Sequence, residues 1–590
     1  MKTYNFKTLV CIALVGFGLS SCKDFLNKPA EDNYNVSNFY QNDDQCREGV
    51  NPIYNSPWYD FQRGFFKVGE VLSGNYYWGS SPYLTFTLDG TDADLANMSA
   101  SLWSVNAYCN TVYDNINNSS GPSQEVKNYC KGECLTWKAM AYFYLVRTFG
   151  AVPIIYNNTD MIASNSYNSV YKAKIGDIYD YIIMTLEKAI TLLPSKDVTG
   201  IGRLDKYSAE GLLAKVYLTK SGFSEDNTTY VPGTYSYITT KAHARNTSDL
   251  ANAAKYAKDV ISNSGRTLMA NYSDIFRLKN NVSDEALISW AWNASSAHWT
   301  CQNTLQSDLS IVGFDEFGDD WGGYAGPSVD LEDAFGENAL SQTRNNADDR
   351  RQATMMMAGD KYNYFYTDAG GFDYLKFIYQ GYSAHKGPGQ YQSPTGANEV
   401  KHLYGDAADH VSALGVSASN MHSGLYTHIL RLADVYLIYA EAVLGDNAST
   451  SDASAIDAFY QVRHRSVKGY IRPSSITWSD IWKERRLELA CEGDRWYDYI
   501  RLFYYNPDKA INEIKAQRRD VYYGLDDLYK NYYTSGAWTV TSSIRYNENS
   551  TIPNVTPKSF TIPLPSSDIS YNPHLTEAPQ HVDITQYTYK

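Results

Sequence analysis

The chain has little cysteine: eight occur in 590 residues. With Cys11 set aside in the leader and Cys22 just after it, Cys46, Cys109, Cys130, Cys134, Cys301 and Cys491 are scattered. They show neither the paired spacing of a zinc site nor the density of a disulfide framework. Cys130 and Cys134 share one face of a helical pattern, where a bridge would be strained, so they read as small buried residues. Basic residues are outnumbered too: 51 Lys+Arg face 65 Asp+Glu, a net charge of −14, with no basic cluster. Phosphate contacts need clustered cations, so nucleic acid is excluded as a partner. The sequence contains no HExxH, GxSxG, P-loop or CxxC, and no GxGxxG opening a helix after a strand. No catalytic residue, metal or cofactor is expected. A glycoside hydrolase would need only two suitably placed carboxylates, which a sequence cannot reveal.

Long apolar runs are missing as well, save one at the start, and the mean hydropathy is −0.43. Lys2 and Lys7 precede an uncharged stretch from Leu9 to Leu19, followed by Ser20 and Ser21. That stretch is about half the ~20 residues a spanning helix needs, so residues 1–21 read as a secretory signal peptide. The order Leu19-Ser20-Ser21-Cys22 resembles a bacterial lipobox, in which Cys22 is acylated and anchors the mature chain to a membrane. What is abundant is aromatic surface: 14% of the residues, including 52 Tyr and 12 Trp. Tyr and Trp favour boundaries with one apolar and one wet side.

The dominant local pattern is helical. Ile175, Ile178, Ile182, Leu186, Ile190 and Leu193 recur at steps of three and four before Pro194. Leu212, Leu213, Val216 and Tyr217 form a second stripe over about 207–221, stopped by Gly222. Similar patterns recur at about 94–118, 123–148, 249–263, 427–444, 452–466 and 478–505. Helix pairs in succession predict a mainly α chain, a tetratricopeptide-like superhelix with a degenerate repeat. Between residues 271 and 424 the period fades into Gly-, Tyr-, Asp- and Ser-rich sequence, a less regular insertion suited to binding loops. The expected organisation is therefore a helical part over 22–270, the irregular segment 271–424, further helices over 425–505 and an extended segment 506–590.

Several stretches, in order, resemble the SusD/RagB family of outer-membrane nutrient-binding lipoproteins. Cys22 is followed by Lys23-Asp24-Phe25-Leu26. Glu133 to Ile155 reads ECLTWKAMAYFYLVRTFGAVPII, and Gly202-Arg203 leads into Leu212 to Leu218. Arg431 to Ala442 reads RLADVYLIYAEA, and Glu484 to Leu502 reads ERRLELACEGDRWYDYIRL. Ile562-Pro563-Leu564-Pro565 and Asn572-Pro573-His574-Leu575 close the match. The resemblance implies a lipid-anchored, cell-surface protein at the outer membrane that captures oligosaccharides. It would deliver them to a TonB-dependent SusC-like transporter and perform no chemistry itself. A RagB-like peptide-binding protein is the alternative within the family, and a secreted glycoside hydrolase a more distant one.

Glu484, Arg485, Arg486, Glu488, Glu492, Arg495 and Asp498 alternate in charge at short steps. Such spacing favours ion pairs that cement a scaffold over a catalytic pair at Glu488 and Glu492. Candidate ligand-binding residues lie in the aromatic clusters: Asn75, Tyr77 and Trp78, then Trp292 and Trp299, then Trp321 and Tyr324, with loops at about 58–83 and 290–324 carrying them. The C–H face of a pyranose lies flat on an aromatic ring, each contact weak and useful in sum. Asn75 or Asp319 could then hold hydroxyls. Packing inside a core is the competing reading for each ring, and Trp290-Ala291-Trp292 could turn both indoles inward on a strand. Asp89, Asp92 and Asp94 offer hard oxygen ligands without EF-hand spacing and read as a solvated loop.

Overall fold

The structure, a computed structural model, describes residues 39–195, 202–231, 237–295, 298–315, 320–383, 385–547 and 553–589. The signal segment, Cys22 and Asp319 lie outside the described residues. Helices α1 (Asp43–Val50) and α2 (Phe61–Phe66) lead into the long pair α3 (Ala93–Asn118) and α4 (Gln124–Phe149). Then follow α5 (Ile175–Leu192), α6 (Lys206–Lys220) and α7 (Thr247–Asn263), and after the insertion α8 (Leu432–Leu444), α9 (Ala453–Ser466), α10 (Trp478–Leu489) and α11 (Arg495–Tyr505). Each packs on the next through α3, α4, α5, α6, α7, α8 and α9, so α7 meets α8 across the whole insertion. This is the tetratricopeptide-like stacking that the spacing predicts.

The helix limits follow local chemistry. The side chains of Asp92 and Ser123 accept the backbone N–H of Leu95 and Val126, capping α3 and α4. Asp205 and Ser208 form a reciprocal capping box on α6. Just before it, the Arg203 guanidinium grips Glu133 of α4 at 2.8 and 2.7 Å, and the Tyr54 hydroxyl donates to the same carboxylate at 2.6 Å. The Gly-Arg pair ahead of α6 is thus a clamp between helices.

Two expected helices are corrected. Over 427–444 the first five residues form a strand, Thr427–Arg431, paired antiparallel with Ala286–Trp290 of the insertion, and only Leu432 onward is helical. The stretch 478–505 breaks at 490–494, where Cys491 and Gly493 take φ of +64° and +73°. The turn brings the Gly493 N–H onto the buried Glu70 carboxylate at 2.7 Å. It presses the Gly493 backbone so closely on Gly69 that a Cβ there would lie 2.2 Å from the Gly493 carbonyl oxygen. Gly69→Ala is expected to destabilise the fold by about 2–3 kcal/mol. The measurement is a lower urea midpoint with an unchanged slope.

The insertion is more ordered than its composition suggests. It holds short helices such as Asp349–Thr354 and Tyr374–Tyr379 and two-stranded ribbons such as Met355–Met357 with Ala397–Glu399. Phe314, Tyr366, Phe372 and Phe377 are buried against one another, with Phe314 stacked on Tyr366 at 5.5 Å. Much of the tyrosine excess serves packing in this way: Tyr142, Tyr179, Tyr181 and Tyr529 are all sealed.

The charged motif is buried as a network. Arg431 reaches Glu285 at 2.6 Å, Glu488 at 3.0 Å and Glu492 at 2.7 Å. Arg465 and Arg350 also hold Glu488, Lys401 holds Glu492 at 2.7 Å, and Arg350 holds Glu484 at 2.6 Å. A neighbouring set joins Arg485 to Asp434 and Asp498, Arg501 to Asp498 and Glu441, and Lys215 to Asp434. Burial pushes the Glu488 carboxyl up, but Arg465, Arg431 and Arg350 pull it well below the usual range. It is a locked anion rather than a proton-transfer group.

Candidate functional site

Helix α2 is the spine of the site: Gln62 and Arg63 on it, and Lys67 just past its end, each hold a different neighbouring segment. Gln62 is fully buried. Its amide donates to the Gln302 carbonyl at 3.0 Å and its oxygen accepts the Thr304 N–H at 3.0 Å, fastening the loop that carries Trp299. Arg63 donates to both oxygens of Asp308, through Nε at 3.1 Å and Nη2 at 2.5 Å. Lys67, four residues on, pairs with Asp94 at 2.5 Å and lies 5.2 Å from the Trp78 ring centre. Beyond Lys67 the backbone widens into a π turn, Lys67–Val71, which seats Glu70 against the 490–494 turn.

Asp308 joins the parts. Its side chain is nearly sealed, while that of Arg63 is 44% exposed. Besides Arg63, Asp308 accepts the Trp321 indole N–H at 2.7 Å, so one buried carboxylate fixes a ring and a guanidinium that both reach solvent. The ion pair holds Arg63 charged, the hydrogen bonding it donates to Asp308 raising its pKa against the opposing effect of burial. The Trp321 loop lies flush on the 305–310 turn, with the Trp321 N–H on the Ser307 carbonyl at 3.0 Å and the Gly322 N–H on that of Ser310 at 2.9 Å. A Cβ on Gly322 would meet the Asp308 carbonyl oxygen at 2.3 Å, so only glycine permits this approach. Asp320, just before Trp321, is buried and accepts the Asp315 N–H and the Ser310 hydroxyl; burial and then Asp315 push its carboxyl well up.

The result is a row of rings open to water. Trp299 is 59% exposed, Tyr324 49% and Trp321 40%. Tyr59 meets Trp299 edge to face at 4.7 Å, and Tyr324 meets Trp78 edge to face at 6.5 Å. Trp78 is buried, a wall beneath Tyr324 packed on Phe66 and Tyr76. The row runs from Trp299 and Tyr59 past Arg63 to Trp321, Tyr324 and Trp78. Such a surface offers weak stacking faces with a fixed guanidinium among them, which suits a ligand with flat apolar faces and peripheral hydroxyls.

Not every residue expected at the site comes to it. Asn75 is fully buried: its amide donates to Glu70 at 3.0 Å and its carbonyl accepts from Arg486 at 2.8 Å, so it belongs to the scaffold. Tyr77 is half-buried on a two-residue strand paired with Gly326. Trp292 is 3% exposed, donates its indole N–H to the Thr427 hydroxyl at 3.0 Å and lines a separate cavity. Trp290 is sealed, the inward turn that alternation on a strand allowed. The aspartates at 89–94 are separately engaged: Asp89 with Thr91, Asp92 with the Tyr83 hydroxyl and the α3 cap, Asp94 with Lys67. Gln62, Arg63 and Asp308 escaped the sequence reading because no motif marks them; only the fold brings positions 63 and 308 together.

Asp308→Asn is expected to leave the fold intact and weaken the hold on both Arg63 and Trp321, since a charged acceptor becomes a neutral one. The check is a change in Trp fluorescence and in its quenching by acrylamide, with unaltered far-UV circular dichroism.

Among the described residues no helix is long and apolar enough to cross a membrane. A helical scaffold with one exposed aromatic row is thus the class that fold and surface define. Comparison with known proteins narrows it. Residues 223–581 match the model of the SusD family, and residues 27–218 match a SusD-like model described as starch-binding and associating with the outer membrane. A SusD-like protein of Bacteroides ovatus is 31% identical over 98% of this chain and 99% of its own length. A crystal structure determined with xylogluco-oligosaccharide superposes with a TM-score of 0.74 at 28% identity, over 91% of this chain and 99% of that one. A laminarin-binding SusD-like protein shares the fold, with a TM-score of 0.59 at 21% identity over 80% of this chain and 94% of that one. The chain belongs to the SusD family.

Proposed function

We propose that this protein is a surface glycan-binding lipoprotein, anchored at the outer membrane through Cys22, that captures oligosaccharides and passes them to a SusC-like TonB-dependent transporter. The observation that carries the reading is the Trp299–Tyr59–Arg63–Trp321–Tyr324 row, whose Arg63 and Trp321 are fixed from below by Asp308. Rings that are exposed yet immobilised bind at little conformational cost, because their rotamers are set before the ligand arrives. Xylogluco-oligosaccharide is the first candidate ligand, by likeness to the structure determined with it. No chemical step is assigned. The charged motif supports this, since Glu488 and Glu492 are neutralised by arginines and lysine inside the scaffold.

The test is isothermal titration of the purified chain with xylogluco-oligosaccharides beside a wider glycan panel and peptide mixtures. Saturable glycan binding without release of reducing ends is expected. Binding of peptides alone would move the protein to the RagB-like reading. Membrane extraction in mild detergent, with and without a Cys22→Ala substitution, tests the anchor and the association with a transporter.

A further inference from the structure

A second feature lies beside the aromatic row. A cavity of about 640 Å³ opens between the end of α1, the 51–55 turn, the residues after the Ala286–Trp290 strand and Tyr426. That volume is in the range of small-ligand pockets. Its lining sets the half-buried Tyr426 and a nearly fully buried Trp292 beside uncommitted polar groups. Trp292 is oriented by its bond to Thr427, and Tyr426 is set by its backbone N–H, which donates to the Asn281 side-chain Oδ1 at 3.0 Å. Among the described residues the Tyr426 hydroxyl has no hydrogen-bond partner. The Asn51 oxygen accepts from Arg203 at 2.5 Å and the Asn293 oxygen accepts the Ser295 N–H at 2.9 Å, leaving both amide NH₂ groups without a partner among those residues. Glu48 is exposed and in no ion pair among them.

The charge selects the ligand class. Arg203 is neutralised by Glu133 and Arg47 faces Asp44, so Glu48 leaves the lining mildly acidic. An anionic ligand is disfavoured, while two amide donors, a phenol and a carboxylate around rings suit the hydroxyls of a neutral sugar. The cavity also adjoins the aromatic row. Asn55, on its wall, donates to the Ala291 carbonyl at 2.9 Å, and the next residue, Ser56, bonds Thr300 at 2.7 Å, beside Trp299. We propose that this cavity is a second saccharide subsite, which takes a neutral sugar unit of the same glycan where the chain runs past the Trp299 end of the row. The inference rests on the glycan-binding reading and extends it.

The experiment titrates wild type, Trp321→Ala and the double variant Tyr426→Phe/Asn293→Ala with short and long xylogluco-oligosaccharides, folding being checked by circular dichroism. The double variant removes one hydroxyl that has no partner among the described residues and one amide whose bond, accepted from the Ser295 N–H, is local to its own loop. It is expected to lose about 5- to 20-fold in affinity for the long ligand and to bind the short one as wild type does. Equal affinity for both ligands, or equal loss for both, overturns the subsite. Loss of the primary reading is seen separately, as wild-type affinity in Trp321→Ala or no binding by wild type. In that event crystals soaked in glucose and in xylose decide the cavity: sugar density between Trp292 and Tyr426 supports the subsite, and its absence with both sugars rejects it.

Discussion

Trp321→Ala is expected to lower glycan affinity by about 30- to 100-fold, the loss of some 2–3 kcal/mol that a central, pre-oriented aromatic contact supplies. Three features place Trp321 above its neighbours. It sits mid-row, its indole N–H is engaged by Asp308, and the same carboxylate holds Arg63. Removing the ring therefore removes a stacking face and also unsettles the guanidinium beside it. Trp299→Ala, at the outer end and more exposed, should lose less, about 3- to 10-fold, because contacts at the rim of a binding surface are better solvated. The two variants should keep the wild-type melting temperature, as neither ring is a core element. Isothermal titration against one xylogluco-oligosaccharide checks the order. Equal effects of the two rings, or none from Trp321, would show that the row is not the primary contact surface.

The opposite profile is expected for Arg431→Ala, which lies away from the row. Its guanidinium is buried and shared among Glu285, Glu488 and Glu492, so truncation leaves three buried carboxylates short of a partner. Breaking a buried pair from one side destabilises by about 3–5 kcal/mol, and a shared cation should reach the upper end. The chain is expected to melt far below wild type or to accumulate as aggregate. The network also sets the acid limit of the fold. Against the upward push of burial, arginines and lysine depress the carboxyls of Glu488, Glu492, Asp434, Asp498 and Glu441 in the folded chain. A carboxyl that is more acidic when folded adds stability that is complete above its unfolded pKa of about 4 and is lost as pH falls through the folded value. Stability should therefore be level with respect to these groups near neutrality and fall steeply below about pH 4. Chemical denaturation across pH 3–7 measures it, and a flat profile down to pH 3 would contradict the network's role.

The helical repeat was legible because amphipathic spacing is a local property. The stripes at 175–193 and 207–221 needed only side chains three and four apart, with Pro194 and Gly222 as stops. At two places tertiary partners override that spacing. Thr427–Arg431 joined the preceding strand because residues 286–290 offered it a ladder, and 490–494 broke because Gly493 had to meet Glu70 and Gly69. The aromatic clusters are legible in the sequence, yet their members are not separable there. Trp292 and Trp299 are seven positions apart, but one is sealed and the other open. Asn75 looked like a sugar ligand because the sequence places it beside Tyr76-Tyr77-Trp78, whereas the fold gives its amide to Glu70 and Arg486.

The amino-acid order by itself determined the mainly helical scaffold, the lack of recognisable catalytic motifs and the family resemblance, all of which rest on spacing and on residue types readable along the chain. Which rings face water, and the carboxylate at 308 that fixes Trp321 and Arg63 together, were decided only by tertiary structure. The reason is physical: exposure and long-range hydrogen bonding depend on what packs above a residue, and that neighbour can lie hundreds of positions away.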